Sequence, residues 1–281
     1  MAVKITCDSS TDLTKELYEQ LNVSVLPFTI TLGDQVYTDT KDIDSEKIFK
    51  YVEQTKVLPK TSAINEFTFE EFFNEHNSKD GLVFISISSR ASSSYSNALN
   101  ASKKFDNVHV VDSYSLSTGG GLLVLYACEL RDQGLSAKEI AEKLNERKKH
   151  IQASFVIDKL DYLYKGGRCN AVQRFGANLL KLHPSILLRD GAMGVNKKYR
   201  GKMADCTTNY FKETLKDFNT PCLDYCFITY SSATEDMLNN AKAVVNEFGK
   251  FKKVYVTKAG ATITSHCGQN TIGLLYFNDG K

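Results

Sequence analysis

Residues 82–98 read LVFISISSRASSSYSNA, an apolar run that ends in a turn rich in serine. The first five residues are typical of a buried strand, and a helical pattern follows the turn. Because the first N–H groups of a helix are unpaired and carry the positive end of its dipole, this turn favours an anion. It lacks the glycines of a phosphate-binding loop, so it predicts a site for a small oxyanion such as a carboxylate. Serines that only cap a helix would give the same pattern.

Strand-like and helical runs alternate through the first half of the chain. The strand-like runs are Val3 to Cys7, Val23 to Thr31, Leu82 to Ser86 and Val108 to Val111. This alternation predicts a parallel sheet covered by helices. Ligands commonly bind at the carboxyl ends of such strands, and the serine-rich turn follows one of them.

The second half of the chain has an antiparallel pattern. Asp190-Gly191 stands between the strand-like runs Ser185 to Arg189 and Ala192 to Lys198, and this dipeptide is a strong hairpin signal. We therefore expect an α/β protein with two domains. An N-terminal parallel-sheet α/β domain would span residues 1–160 and a C-terminal α+β domain residues 161–281. Part of residues 61–80 could pack with either domain.

Composition narrows the classes of protein and of partner. The 281 residues carry a formal net charge of only +2, and no dense basic stripe interleaved with aromatic residues is present, so nucleic acid is not an expected partner. The seven cysteines contain no Cys-x-x-Cys pair, which indicates reduced thiols rather than disulfides or zinc. The chain shows neither a signal-peptide pattern nor an apolar run long enough to span a bilayer, so we expect a cytoplasmic protein.

Several kinds of enzyme site lack their motifs. There is no Gly-x-x-x-x-Gly-Lys-Ser/Thr loop, no complete dinucleotide fingerprint and no His-Glu-x-x-His. A serine hydrolase or acyltransferase stays open as the alternative, with Ser92 or Ser93 as nucleophile, Asp112 as the orienting group and His266 as base. The sequence has no Gly-x-Ser-x-Gly elbow, and the spacing of these residues does not show that they meet. A variant with Cys267 beside His266 is weaker, because adjacent side chains seldom point at each other.

Two further polar segments are candidate companions of the serine-rich turn. Thr61-Ser62 follows a proline, which favours an extended approach and leaves both hydroxyls free to face a ligand or to cap the next helix. Residues 265–268, Ser-His-Cys-Gly, are predicted to form a polar turn between strands, where His266 could donate a hydrogen bond to an anion.

Taken together, these segments resemble the DegV family over nearly the whole chain. The matching motifs, in chain order, are Asp8-Ser-Ser-Thr-Asp-Leu13, Lys60-Thr-Ser62, Ser88 to Ala98, Val111-Asp-Ser113, Leu163-Tyr-Lys-Gly-Gly-Arg168, His183-Pro184, Tyr199-Arg-Gly-Lys202 and Ser265-His-Cys-Gly268. Several motifs in one order are far more specific than any one of them. Where the family usually has Ser-Gly-Thr-Tyr, this chain has Ser92-Ser-Ser-Tyr95, which leaves open whether Ser92 or Ser93 contacts the ligand.

The resemblance implies a fatty-acid-binding protein that works as a subunit of bacterial fatty acid kinase and is not itself an enzyme. One long-chain fatty acid would lie between the two domains as a ligand, with no other cofactor. By the resemblance, the carboxylate-binding residues are Thr61, Ser62, the Ser92-Ser93 turn and His266. Arg200, together with Arg168, is the candidate for phosphate handling or docking of the kinase.

The implied reaction belongs to a partner. The ATP-binding subunit of the kinase would phosphorylate the bound acid, and this chain would then carry the acyl phosphate. An acyltransferase or a transient membrane contact is a further expected partner.

Overall fold

The computed structural model describes residues 3–169 and 182–279. In chain order, its strands are β1 (Lys4–Asp8), β2 (Ser24–Leu26), β3 (Thr29–Leu32), β4 (Gln35–Thr38), β5 (Lys60–Ser62), β6 (Leu82–Ser86), β7 (Val108–Asp112), β8 (Ile151–Val156), β9 (His183–Arg189), β10 (Ala192–Tyr199), β11 (Pro221–Tyr230), β12 (Lys253–Lys258) and β13 (Ile272–Asn278). Its α-helices are α1 (Lys15–Leu21), α2 (Ser45–Thr55), α3 (Glu66–His76), α4 (Ser94–Ser102), α5 (Thr118–Asp132), α6 (Ala137–Arg147), α7 (Asp161–Lys165), α8 (Met203–Asp217), α9 (Glu235–Phe248) and α10 (Ala261–Cys267).

The first sheet is parallel, as the alternating pattern predicts. Its strands lie in the order β2-β1-β6-β7. Successive residues of a strand face opposite sides, so Phe84 packs with the phenylalanines of α3 while Val83 and Ile85 join the core formed with α5 and α6. Both faces are therefore covered, and the expected α/β class is confirmed.

The second sheet has six strands in the order β10-β9-β8-β13-β11-β12. Its pairs are antiparallel except for β11 with β12. Asp190 and Gly191 both have positive φ, at 48° and 78°, which is the geometry of the hairpin turn that this dipeptide favours. Helices α8 and α9 cover one face of this sheet, while its other face contributes Phe227 and Leu275 to the core shared with α5.

A third, small sheet differs from the prediction for Val23 to Thr31. That run is not one strand: β2 ends at Leu26 and β3 begins at Thr29, in a separate antiparallel sheet of order β4-β3-β5. Pro27 lies at the break, and its ring removes the N–H that a continuing strand would need for its ladder. The small sheet holds Thr61 and Ser62 on β5.

Two elements cross the expected division of the chain. Strand β8 precedes residue 160 but is hydrogen-bonded between β9 and β13 in the second sheet. Helix α10 follows residue 160, yet its Ala261 packs with Ile30 and Ile48 of the first half. Within residues 61–80, β5 pairs with β3 and α3 packs against the parallel sheet, so both lie with the first half. The domain limits 1–160 and 161–281 stay a prediction.

Candidate ligand-binding site

A cavity lies between the parallel sheet and the six-stranded sheet. It encloses about 910 Å³, counting the space at its opening. Most of its lining is apolar, with side chains from both halves such as Phe28, Ile87, Leu116, Phe155, Leu188 and Leu275. A space of this size and lining suits one elongated apolar molecule.

Five of the candidate site residues line this one cavity. They are Thr61, Ser62, Ser92, Arg168 and His266. They come from four separate elements and loops, so the folded chain brings together what the sequence keeps more than 200 residues apart. Further hydroxyl-bearing residues are also part of the lining: Ser117, Ser154, Thr229, Tyr230, Ser231, Thr262 and Thr271.

His266 does not lie in a polar turn, as its segment predicts, but in the last turn of helix α10. The prediction was wrong because this helix is fixed by contacts from distant parts of the chain. The main-chain N–H groups of Ala261 and Thr262 donate to the Asp39 carboxylate at 2.9 and 3.2 Å, and that of Gly260 donates to Asp12 at 2.9 Å. Two carboxylates from the first half therefore cap a helix of the second half.

The imidazole of His266 is held between β5 and the loop after α7. Its Nε2 lies 2.8 Å from Thr61 Oγ1, within hydrogen-bonding distance, and its buried Nδ1 has no hydrogen-bond partner among the described residues. Gly166 packs so close that a Cβ there would lie 2.7 Å from Nδ1, so a side chain at 166 would displace the ring. Burial, with the Arg168 cation adding to it, lowers the pKa of His266 to about 4. The ring is therefore neutral at pH 7.

The serine-rich turn ends at the N-terminus of α4, and only one of its two candidate serines faces the cavity. Ser92 lines the cavity, and its Oγ lies 2.9 Å from Ser94 Oγ. Ser93 is the N-cap residue of α4, is exposed and makes no side-chain capping bond. Ser94 Oγ also accepts from the Ile64 N–H at 3.1 Å, which ties this turn to the segment that follows Thr61 and Ser62.

The two candidate arginines lie in different surroundings. Arg168 lines the cavity, and its Nη1 donates to the Gly166 carbonyl at 2.7 Å while the rest of the side chain is exposed. Arg200 directly follows β10, is exposed and is not part of the cavity lining. Only Arg168 is thus placed beside the candidate head-group site.

The alternative hydrolase arrangement is not assembled by these residues. Asp112 accepts the main-chain N–H groups of Ser89 and Tyr114 at 3.2 and 3.0 Å, whereas His266 is bonded to Thr61 and, among the described residues, pairs with no carboxylate. Burial raises the pKa of Cys267 to about 12, so this thiol stays protonated. The described residues therefore do not place His266 between a nucleophile and an orienting carboxylate.

Sequence reasoning missed Asp39 altogether and gave Asp12 no role beyond its motif. Both carboxylates are buried, and Asp39 also accepts from Ser9 Oγ at 2.9 Å. Burial raises the pKa of Asp12 to about 8. A buried aspartate that caps a helix from a distance leaves no local pattern to detect.

Residues 3–169 and 182–279 contain neither a candidate metal-binding group nor a helix that could span a membrane. No group of three or more histidine, cysteine, aspartate or glutamate side chains there is placed to hold a metal ion. The helices in these ranges all fall short of the length and apolar character needed to cross a bilayer.

Comparison with known proteins places this cavity in context. Residues 2–279 match the model of a family described as uncharacterised protein, DegV family COG1307. A DegV domain-containing protein of Staphylococcus aureus (strain COL) is 33% identical over 279 residues, covering 96% of this chain and 97% of the relative.

Solved structures share the whole architecture. A fatty-acid-binding DegV family protein of Thermus thermophilus has a TM-score of 0.89 at 26% identity, covering 99% of this chain and all of its own. The fatty acid kinase B3 protein of Streptococcus pneumoniae, loaded with linoleic acid, has a TM-score of 0.83 at 20% identity, covering 99% of this chain and 100% of its own. With the family model matched from residue 2 to residue 279, this chain belongs to the DegV family.

Proposed function

We propose that this protein binds one long-chain fatty acid in the cavity between its sheets and presents the carboxylate to a partner kinase. The observation that carries the proposal is the meeting of Thr61, Ser92, Arg168 and His266 on the wall of an apolar cavity. The fatty-acid-binding relative of Thermus thermophilus and the linoleic-acid-loaded protein of Streptococcus pneumoniae support the same ligand class.

The apolar lining accounts for affinity. Burying about sixteen methylenes at about 0.8 kcal/mol each gives on the order of 13 kcal/mol before ordering costs are subtracted. The head group then needs only to be satisfied and oriented, because a carboxylate buried without partners would cancel much of that gain.

The polar side chains suit a carboxylate in particular. The Thr61 hydroxyl can accept from the Nε2–H of the neutral His266 and donate its own proton to a carboxylate oxygen, and the Ser92 hydroxyl can donate as well. Arg168 adds a positive charge next to His266. Ser62, exposed on β5 and also in the lining, is a further donor.

We assign the later step to the partner. The kinase would transfer the γ-phosphoryl group of ATP to a carboxylate oxygen, releasing ADP and leaving an acyl phosphate on this protein. Arg168 is placed to pair with the added negative charge, as a guanidinium pairs well with phosphate oxygens. Arg200, exposed outside the cavity, is our candidate for docking the kinase.

Organic extraction of the purified protein followed by mass spectrometry tests the ligand. We expect one fatty acid per chain, and stripped protein should take up added palmitate or oleate. An extract without fatty acid, together with no uptake of either acid, would contradict the proposal.

Assays with the kinase subunit and ATP separate the two arginines. Arg168→Ala should still bind the kinase but form much less acyl phosphate, whereas Arg200→Ala should weaken the complex itself. Normal acyl phosphate formation in either variant would remove that arginine from its assigned role. Binding of fatty acid by each variant is the control for an intact cavity.

A further inference from the structure

The far end of the cavity can be located along strand β13. Thr271, which directly precedes β13, lines the cavity, and so do Gly273 and Leu275 of the strand itself. Thr271 lies at the α10 end, since its Oγ1 donates to the Cys267 carbonyl at 2.9 Å. At about 3.3 Å per residue, Leu275 lies roughly 13 Å further along the strand. Leu275 therefore marks the end of the cavity away from His266.

A row of side chains crosses the sheet at that end. Leu275 pairs directly with Ala153 on β8, and the pairing of Ser154 with Leu187 brings Leu188 of β9 beside Ala153. Ala153 and Leu188 are buried and line the cavity. Gly273 lines the cavity between Thr271 and this row.

A second hollow, which we call the rear groove, lies behind the same row. It encloses about 1050 Å³ with its open side, and its lining includes Lys148, Lys149, His150 and Arg189. Ala153 and Leu188 line the rear groove as well as the cavity. At this point the two spaces therefore share the same two residues as their lining.

We propose that Leu188 and Ala153 form the end wall that sets the longest acyl tail this protein accepts. The inference rests on the proposed function and deepens it by assigning chain-length selection to two residues. A tail that reaches the wall gains nothing from further methylenes, because the next space is polar and open to water. Removing the Leu188 side chain extends the apolar space by a few carbon atoms.

Competition binding to stripped protein, with saturated acids of 14 to 22 carbons, tests the wall. Each newly buried methylene adds about fourfold in affinity. In Leu188→Ala, the acid bound most tightly should therefore be about two carbons longer than in the unaltered protein. The affinity for this longer acid, relative to that for the acid preferred by the unaltered protein, should rise roughly tenfold or more.

Leu187→Ala is the matched control, because Leu187 lines the rear groove but not the cavity. It removes the same atoms and should leave the preference unchanged. Ala153→Val makes the opposite change, because it adds bulk to the wall, and it should shift the preference to shorter acids. This second variant still tests the wall if Leu188→Ala does not fold.

The same preferred length in the unaltered protein and in every folded wall variant would overturn the inference. An equal change in Leu187→Ala would overturn it too. Failure of the unaltered protein to bind any acid would instead count against the proposed function, so the two failures are distinguishable.

Discussion

At the scale of single residues, His266 combines two properties that fit an oxyanion site. It is neutral at pH 7, because burial and the Arg168 cation lower its pKa to about 4, and its Nδ1 has no hydrogen-bond partner within residues 3–169 and 182–279. A buried ring nitrogen without a partner costs free energy unless something pairs with it. Because Nδ1 faces Gly166, a ligand head group would meet the ring through Thr61, which is bonded to Nε2.

The lowered pKa predicts acid sensitivity of the ligand-free fold. Between pH 6.5 and 4 the unfolded chain binds a proton at His266 that the folded chain does not, so the free energy of unfolding falls as the pH falls. The loss should approach about 1.4 kcal/mol per pH unit in that window.

Urea unfolding of stripped protein at several pH values, compared with His266→Gln, isolates this contribution. The raised pKa values of Asp8 and Asp12 act in the opposite direction but are common to both proteins. Parallel pH dependence of the two proteins would show that His266 titrates normally.

The two serines of the turn give a second residue-scale prediction. Ser92→Ala removes a hydroxyl from the cavity wall and should weaken fatty-acid binding by about 1–3 kcal/mol, or roughly five- to more than a hundredfold. Ser93→Ala removes an exposed hydroxyl without a capping bond and should change affinity by less than about twofold. Titration of both variants with one fatty acid checks the contrast, and the reverse order would mean that Ser93 is the contact.

The sequence predicted the chemistry of the site better than the positions of its side chains. Hydroxyls near a strand end and one distant histidine indicated an oxyanion, and the structure places Thr61, Ser62, Ser92 and His266 in one cavity. The sequence could not decide between Ser92 and Ser93. The directions of two neighbouring side chains at the start of a helix depend on the path of the backbone, which the sequence does not give.

At the scale of elements, helix α10 depends on the two carboxylates that cap it. Asp39 accepts the Ala261 and Thr262 N–H groups and so fixes the helix that carries His266 toward Thr61. An asparagine at position 39 would place its amide N–H₂, a donor, against the main-chain N–H of Ala261 or Thr262.

Asp39→Asn should therefore shift His266 away from Thr61, lower fatty-acid affinity severalfold and speed amide exchange along α10. NMR of the His266 ring and hydrogen exchange measure these effects. Asp44→Asn is the matched control, because it makes the same chemical change at the exposed cap of α2, where asparagine caps equally well. Identical responses in the two variants would mean that Asp39 does not position His266.

Elements with strong local signals were predicted well. The Asp190-Gly191 hairpin forms as its sequence indicates, and so does the parallel pairing of β1, β6 and β7. The three-residue strand β5 and the break at Pro27 were missed, since a strand so short has no periodicity and pairs only because β3 lies beside it.

At the scale of the whole molecule, the cavity wall comes from both halves, so ligand and fold should stabilise each other. A fatty acid at a hundred times its dissociation constant should add about 2.7 kcal/mol to the free energy of unfolding. Calorimetry of stripped and loaded protein should show one transition that moves upward on loading. A ligand-dependent shift of only part of the transition would mean that the two sheets unfold separately.

The position of β8 and α10 explains why domain limits are hard to draw from sequence. Composition and periodicity report the local type of structure but not which sheet a strand joins. β8 joins the second sheet through pairing with β9 and β13, which lie 27 and 116 residues or more further along the chain. Only the tertiary pairing decides such a case.

The placement of β13 has a consequence for how the protein is made. This late strand lies between β8 and β11, inside the six-stranded sheet, and α10 directly precedes it. While only residues up to about 250 have left the ribosome, β8 and β11 have an unfilled place between them and His266 has not yet emerged. Neither the sheet nor the binding site can therefore be finished during most of translation, and a chaperone that shields the waiting strand edges should raise the yield of folded protein.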